Sequence, residues 1–289
     1  MKTRGIRLAS LLGILLCTSL LCQQPVQAAS QRDACAAPDE MTGAIAALPQ
    51  VARVLVPGGR LRVLAIGSAT MFGPEASFTS GTLGSQALSN SGSPVASPAP
   101  SPMVPPVHPL NQEASDRAFP RQMAKALQAA IPGLDVQVVV KGGRGMTASD
   151  MLALLRTELQ AGQYQLVLWQ TGTVEAVRNS PPGDFAQILS NGAEAVEAAG
   201  ANLVLIDPQY SRFLQTNSNL DPYTQALQQT AAMPGVILFH RFDLMRNWAN
   251  DGQIDLERTA KADRKRVGDL LHACLGAHLA RMVAAGARS

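Results

Sequence analysis

Five short apolar, β-branched runs, set apart by stretches of helical periodicity, constrain this 289-residue chain more than any other feature. The runs lie at 61–66, 136–140, 165–169, 202–206 and 235–239, and none alternates cleanly between apolar and polar residues. A strand that is apolar on both faces must be covered on both faces, which is the condition of strands in a parallel sheet. Between the runs, 119–130, 149–160, 184–199 and 221–232 repeat apolar residues at helical spacing. A last helix is expected within 259–285, with Val267, Leu271, Cys274, His278 and Met282 along one stripe. This alternation predicts an α/β fold, a flavodoxin-like three-layer α/β/α sandwich on a five-stranded parallel sheet. The expected strand order is 2-1-3-4-5, which puts a topological switch point between the first and third strands.

The ends of the chain carry different information. Lys2, Arg4 and Arg7 account for the whole formal net charge of +3, and residues 1–28 hold no acid. A basic start, an apolar stretch from Leu8 to Cys22 and the small residues of Val26-Gln27-Ala28 read as an export signal cleaved after Ala28. The expected product is periplasmic or secreted, with no membrane span once the signal is removed. The remainder has 21 basic against 21 acidic residues, which leaves no electrostatic footprint for nucleic acid. Cys17 and Cys22 leave with the signal, so an oxidising compartment finds Cys35 and Cys274. They either pair or remain apart, Cys274 in the core and Cys35 on a loose arm. Neither has metal-ligand spacing to a histidine, and no metal or other cofactor is expected.

The expected organisation is a signal at 1–28, an N-terminal arm at 29–59 and one domain at 60–289. The domain is interrupted at about 74–115 by a Pro/Ser-rich insertion, with eight prolines and eight serines between Pro74 and Pro109. Such a composition buries little apolar surface, so a flexible loop is expected there, either a flap over the site or a tolerated insertion.

Chemistry is expected where the strands end. The first strand runs into Gly67-Ser68-Ala69-Thr70, the second into Gly142-Gly143-Arg144-Gly145 and the third into Trp169-Gln170-Thr171-Gly172-Thr173-Val174. Small residues there let backbone N–H groups face a ligand, as an oxyanion hole requires. Together these turns resemble the SGNH/GDSL hydrolase family over residues 60–285, apart from the insertion. Leu64-Ala65-Ile66-Gly67-Ser68-Ala69 is similar to its first block, Gly145 to its oxyanion glycine, and Gly172-Thr173-Val174 to its Gly-Thr-Asn block. Asp207-Pro208-Gln209-Tyr210 and the stretch from Leu238 to Trp248, with His240-Arg241-Phe242 inside it, resemble one bacterial branch of that family.

The resemblance implies an ester or acyl hydrolase, and it also shows what is missing. Ala69 stands at the nucleophile's position and Val174 at that of the side-chain oxyanion donor. The family's terminal Asp-x-x-His maps literally onto Asp269 and His272, deep in the expected last helix. Matching Cys274-Leu275 without gaps maps it instead onto Asp263 and Arg266. The surviving candidates are a triad of Ser68, Asp269 and His272, with the Ala69 and Gly145 N–H groups, beside Val174, as oxyanion donors. Thr70 is a second displaced hydroxyl, and Ser68 has a rival role as a helix cap. Glu175 and Arg144 are candidates to face the cleft as a pair or to stand in solvent, and Asp207 and His240 also lie at the strands' ends. Trp169 reads as core. Two functions follow: an exported binding or accessory protein for acylated or glycan material at the envelope, or an esterase working through Ser68 and His272.

Overall fold

The structure, a computed structural model, describes residues 35–38, 41, 46–75 and 115–289. The export signal, most of the arm and positions 76–114 of the insertion lie outside the described residues. The chain divides into two compact units, 1–36 and 37–289. In the first only Cys35 and Ala36 are described, and Cys35 is disulfide-bonded.

In the second unit five parallel strands form one sheet. They are β1 (Arg60–Gly67), β2 (Asp135–Gly142), β3 (Leu166–Gln170), β4 (Asn202–Ile206) and β5 (Val236–Phe239), in the order β2-β1-β3-β4-β5. All five runs read from the sequence are strands, and the order is the expected one. The register sets Ile66 beside Lys141 on one side and beside Trp169 on the other. The ends of β1, β2 and β3 therefore meet at the switch point.

The described helices are α1 (Pro49–Ala52), α2 (Phe119–Ala130), α3 (Ala148–Ala161), α4 (Thr173–Arg178), α5 (Pro182–Ala198), α6 (Arg212–Asn217), α7 (Asp221–Thr230), α8 (Arg241–Asn250) and α9 (Arg264–Gly286). Leu64, Ile66, Val167, Trp169, Leu203 and Leu205 point to one face of the sheet, where α3, α5 and α7 cover them. Val63, Ala65, Leu168 and Val204 alternate to the other face and are as deeply buried. Trp169 is core, as expected, and its six-membered ring occupies the space that a side chain at Gly192 of α5 would need. The residues of the predicted stripe on α9 are all buried, and Cys274 among them is disulfide-bonded.

Residues 46–59, read as part of an arm, are held against the domain. Leu48 and Val51 are fully buried, and the Leu48 N–H donates to the Gly286 carbonyl at 2.8 Å. Asn202 explains the first turn of α1: its Oδ1 accepts from the Gln50 and Val51 N–H groups at 2.8 and 3.2 Å. A buried polar residue at the start of a strand is thus a cap for a helix over 150 residues away in sequence.

Helix α9 lies against α2 at a separation that a glycine permits. A Cβ at Gly276 would press on the Gln122 Cβ and come within 2.8 Å of the Met123 nitrogen. Backbone cannot yield as a flexible side chain can, so overpacking outweighs the gain in helix propensity. Gly276→Ala is expected to destabilise the protein by about 2 kcal/mol, read as a lower urea midpoint at unchanged m. A midpoint at or above that of the wild type would show that the two helices are not closest there.

Candidate functional site

Strand β1 delivers Gly67 and Ser68 to the carboxyl edge, where the chain tightens into a 3-10 turn at Ala69–Met71. Ser68 occupies the cap position of that turn, yet its side chain makes no capping hydrogen bond. This corrects the capping role. Its hydroxyl goes instead to Gln170, the last residue of β3, whose Nε2 donates to Ser68 Oγ at 2.6 Å. Thr70, two residues on, donates from Oγ1 to Gln170 Oε1 at 2.7 Å. Arg241 fixes these directions. Its Nη1 donates to Thr70 Oγ1 at 3.2 Å, so Thr70 has one proton left to give, and it goes to the amide oxygen. The amide nitrogen is then the atom that faces Ser68. One buried side chain engages both hydroxyls that flank Ala69, and Ala69 contributes only a half-buried methyl.

Behind this clamp lies a group of buried ionisable residues. Arg241, the first residue of α8, is 1% exposed, and burial pulls its guanidinium down to about 10 against the opposing pull of Asp207. Its Nε and Nη2 have no partner among the described residues. Asp207 follows β4 and accepts the Phe242 N–H at 2.8 Å, so it serves the start of α8. Burial pushes its carboxyl up to about 7, although the Phe242 N–H and Arg241 favour the ionised form. His272 is 1% exposed, and burial, followed by the charges of Arg241 and Arg117, drives its imidazole down to about 3.

Each residue of the candidate triad has partners outside the triad, Gln170 in the case of Ser68. The Phe119 N–H donates to His272 Nδ1 at 3.0 Å, and the two rings are tilted at 5.7 Å. A nitrogen that accepts from a backbone N–H carries no proton, so the neutral ring holds its proton on Nε2. A serine's general base needs the reverse, a lone pair on the nitrogen facing the hydroxyl and a proton on the one facing the carboxylate. The Asp269 carboxylate is engaged by Arg117 and by Lys265 Nζ, the latter at 3.1 Å. Arg117 also pairs with Glu75, so the residues flanking 76–114 are joined to one another and to α9. Both Asp269 and His272 sit inside α9, whereas Asp263 closes the 3-10 turn ahead of it and pairs with Arg266 at 3.1 Å.

The remaining positions divide between scaffold and edge. Gly145 has a left-handed backbone at φ +76°, and its carbonyl accepts from Arg178 Nη2 at 3.3 Å. Val174 is half-buried in the first turn of α4. Glu175 is buried rather than solvated, and it does not pair with Arg144, which is exposed. Its carboxylate accepts the N–H groups of Ala148 and Gly172, tying the starts of α3 and α4 together. Gly172 can hold that position because its φ of +96° is open to glycine. His240 occupies the cap position of α8 without a side-chain capping bond, and its Nδ1 lies 4.0 Å from Asp243. Gln170 and Arg241 were passed over as site residues. The signal for Gln170 is a polar residue closing an otherwise apolar strand, and for Arg241 a charged residue two positions past one.

A family model described as the non-GDSL lipase-like family matches residues 103–289. The chain belongs to that family. The match to the non-GDSL lipase-like model begins beyond β1, so Ser68, Ala69 and Thr70 fall outside it. The fold is that of SGNH/GDSL hydrolases. Axe2, an acetylxylan esterase from Geobacillus stearothermophilus, is 15% identical with a TM-score of 0.50, over 79% of this chain and 95% of that one. A variant of Axe2, described as an acetyl-xylooligosaccharide esterase, is 13% identical with a TM-score of 0.51 over the same shares. TesA is 16% identical with a TM-score of 0.46, over 74% of this chain and 97% of its own. At such identities the two Axe2 structures show a shared fold alone. No curated protein matches this non-GDSL lipase-like chain in sequence. Among its described residues, no helix is long and apolar enough to cross a membrane, and no group of three His, Cys, Asp or Glu is placed to hold a metal ion.

Proposed function

We propose that this non-GDSL lipase-like protein keeps the scaffold of an ester hydrolase without its serine mechanism, and acts after export as a binding or accessory protein for acylated or glycan material at the cell envelope. The observation that carries the reading is the Gln170 clamp, which holds the hydroxyls of Ser68 and Thr70 on either side of Ala69. Supporting it, His272 spends its Nδ1 lone pair on a backbone N–H, and Asp269 spends its charge on Arg117 and Lys265. Removing a nucleophile from a hydrolase triad costs about 10⁶ in turnover, and removing one oxyanion donor about 10²–10³. With Ala69 and Val174 in those roles, little of the reaction is left. The glycan part of the reading draws on the fold shared with Axe2, whose substrates are acetylated sugars. Export, and pairing of Cys35 with Cys274 once exported, belong to the same proposal.

The test is direct. The purified protein is expected to hydrolyse p-nitrophenyl acetate and butyrate no faster than its Ser68→Ala variant, and a fluorophosphonate probe is expected to leave Ser68 unlabelled. Turnover abolished by Ser68→Ala or His272→Gln, or labelling of Ser68, would overturn the reading in favour of an esterase working through Ser68.

A further inference from the structure

Two segments, Asp207-Pro208-Gln209-Tyr210 after β4 and His240-Arg241-Phe242 after β5, meet at the same sheet edge, and of them only Arg241 takes part in the clamp. Asp207 joins them by accepting the Phe242 N–H, which sets the Phe242 ring against Tyr210. The rings are edge to face, with centroids 5.4 Å apart and planes at 76°, and both are half-buried. Each ring carries a guanidinium over it: Arg212 lies 5.6 Å from the Tyr210 centroid, and Arg246 lies 5.6 Å from that of Phe242.

Neither arginine brings surplus charge. Arg212 grips Asp255 through both terminal nitrogens, at 3.1 and 3.0 Å, and also reaches Glu257 at 3.3 Å. Arg246 pairs with Asp243 at 2.7 Å. The hydrogen bonds that Arg212 donates to Asp255, against the cost of burial, hold it more firmly protonated than usual. Beside Tyr210 is a dent of about 10 Å³, room for about one water, with Met245 and Leu271 in its lining.

We infer that the Tyr210–Phe242 pair and its two arginine–carboxylate clamps form a shelf for a neutral oligosaccharide. The inference rests on the binding-protein reading and names the ligand class and the place. A pyranose ring presents apolar C–H groups on its face and vicinal hydroxyls at its rim. The aromatic pair meets the first, and the donors and acceptors fixed in the clamps meet the second. An apolar acyl chain would strip water from the clamps and leave them unpaired. A charged polymer would find Arg212 and Arg246 already matched.

The test uses the purified protein with xylohexaose as the neutral probe and hexagalacturonate as its anionic counterpart, followed by calorimetry. The wild type is expected to bind xylohexaose with little salt dependence. Tyr210→Leu and Phe242→Leu, which keep bulk but remove the ring, are each expected to weaken binding about tenfold, which corresponds to 1.4 kcal/mol. Tyr210→Phe should stay within about twofold, since the ring and not the hydroxyl supplies the platform. No binding of xylohexaose, unchanged affinity in both leucine variants, or a preference for hexagalacturonate would overturn the shelf. Ester turnover abolished by Ser68→Ala would instead overturn the non-hydrolytic reading, so the two fail on separate readouts.

Discussion

Replacing three side chains together, Ala69→Ser, Val174→Asn and Arg266→His, is expected to raise p-nitrophenyl acetate hydrolysis at least about 10²-fold over the wild type, whereas each change alone should raise it little. The expectation follows from how catalytic groups combine. Members of a triad act as a unit, so one restored member recovers almost nothing, and the oxyanion donor adds about 10²–10³ only once attack takes place. The Gln170 amide is already spent on Ser68 and Thr70, which leaves a hydroxyl at position 69 unclaimed. Asp263 already bonds residue 266 across the start of α9, so an imidazole introduced there has a carboxylate to orient it. A triple variant no faster than the wild type would mean that the edge has lost more than three side chains. Adding His272→Gln to the triple variant should change nothing. If it removed the gained activity, the literal Asp269 and His272 placement would be the working one.

The second large effect concerns stability against pH, because two fully buried groups behind the clamp pull in opposite directions. Burial raises the Asp207 carboxyl from 3.8 to about 7, so between those values the folded protein keeps a proton that the unfolded chain has lost. Stability from this group therefore falls as pH rises through that window. Burial lowers His272 from 6.5 to about 3, so between those values the unfolded chain holds a proton that the folded protein refuses. Stability from this group rises with pH through its window. Across the shared range the two slopes cancel, and their joint contribution in the wild type is expected to be nearly flat. His272→Gln keeps an acceptor for the Phe119 N–H and unmasks Asp207, so stability should then fall as pH rises from about 4 to 7. Asp207→Asn keeps an acceptor for the Phe242 N–H and should give a rise from about pH 3 to 6.5. Each swing is bounded by roughly 5 kcal/mol, and urea midpoints taken across the range read it directly. Single variants that follow the wild-type profile would show that these groups do not titrate as their burial requires.

Both expectations depend on features of unequal legibility. The strands were legible because a run such as Val136–Val140 or Leu203–Leu205 is apolar on both faces, and only a covered parallel sheet accommodates that. The helices that periodicity does not reveal, α1, α4 and α6, are four or six residues long, too short for a repeat of 3.6 to establish itself. Helix α8 escaped because Arg241, Asp243 and Arg246 interrupt its apolar pattern. The alanine at position 69 was legible because a resemblance is read position by position. The partners of its neighbours were not, since Gln170 lies about a hundred residues from Ser68 and Thr70, and Arg241 lies 171 from Thr70. Nothing local marks such pairings. They arise only when β1 and β3 are brought side by side and β5 opens into α8 at the same edge.

The amino-acid sequence by itself therefore determined the sheet, its order and the alanine that stands between Ser68 and Thr70, because hydrophobic periodicity and residue identity are one-dimensional quantities. The tertiary structure alone decided what became of the remaining groups: Ser68 and Thr70 held by one amide, His272 with its lone pair committed, Glu175 turned inward to two backbone donors, Asp207 and Arg241 sharing a dry interior. The reason is physical. A polar side chain taken out of water must find a partner, and which partner it finds is set by what the fold places within about 3 Å of it.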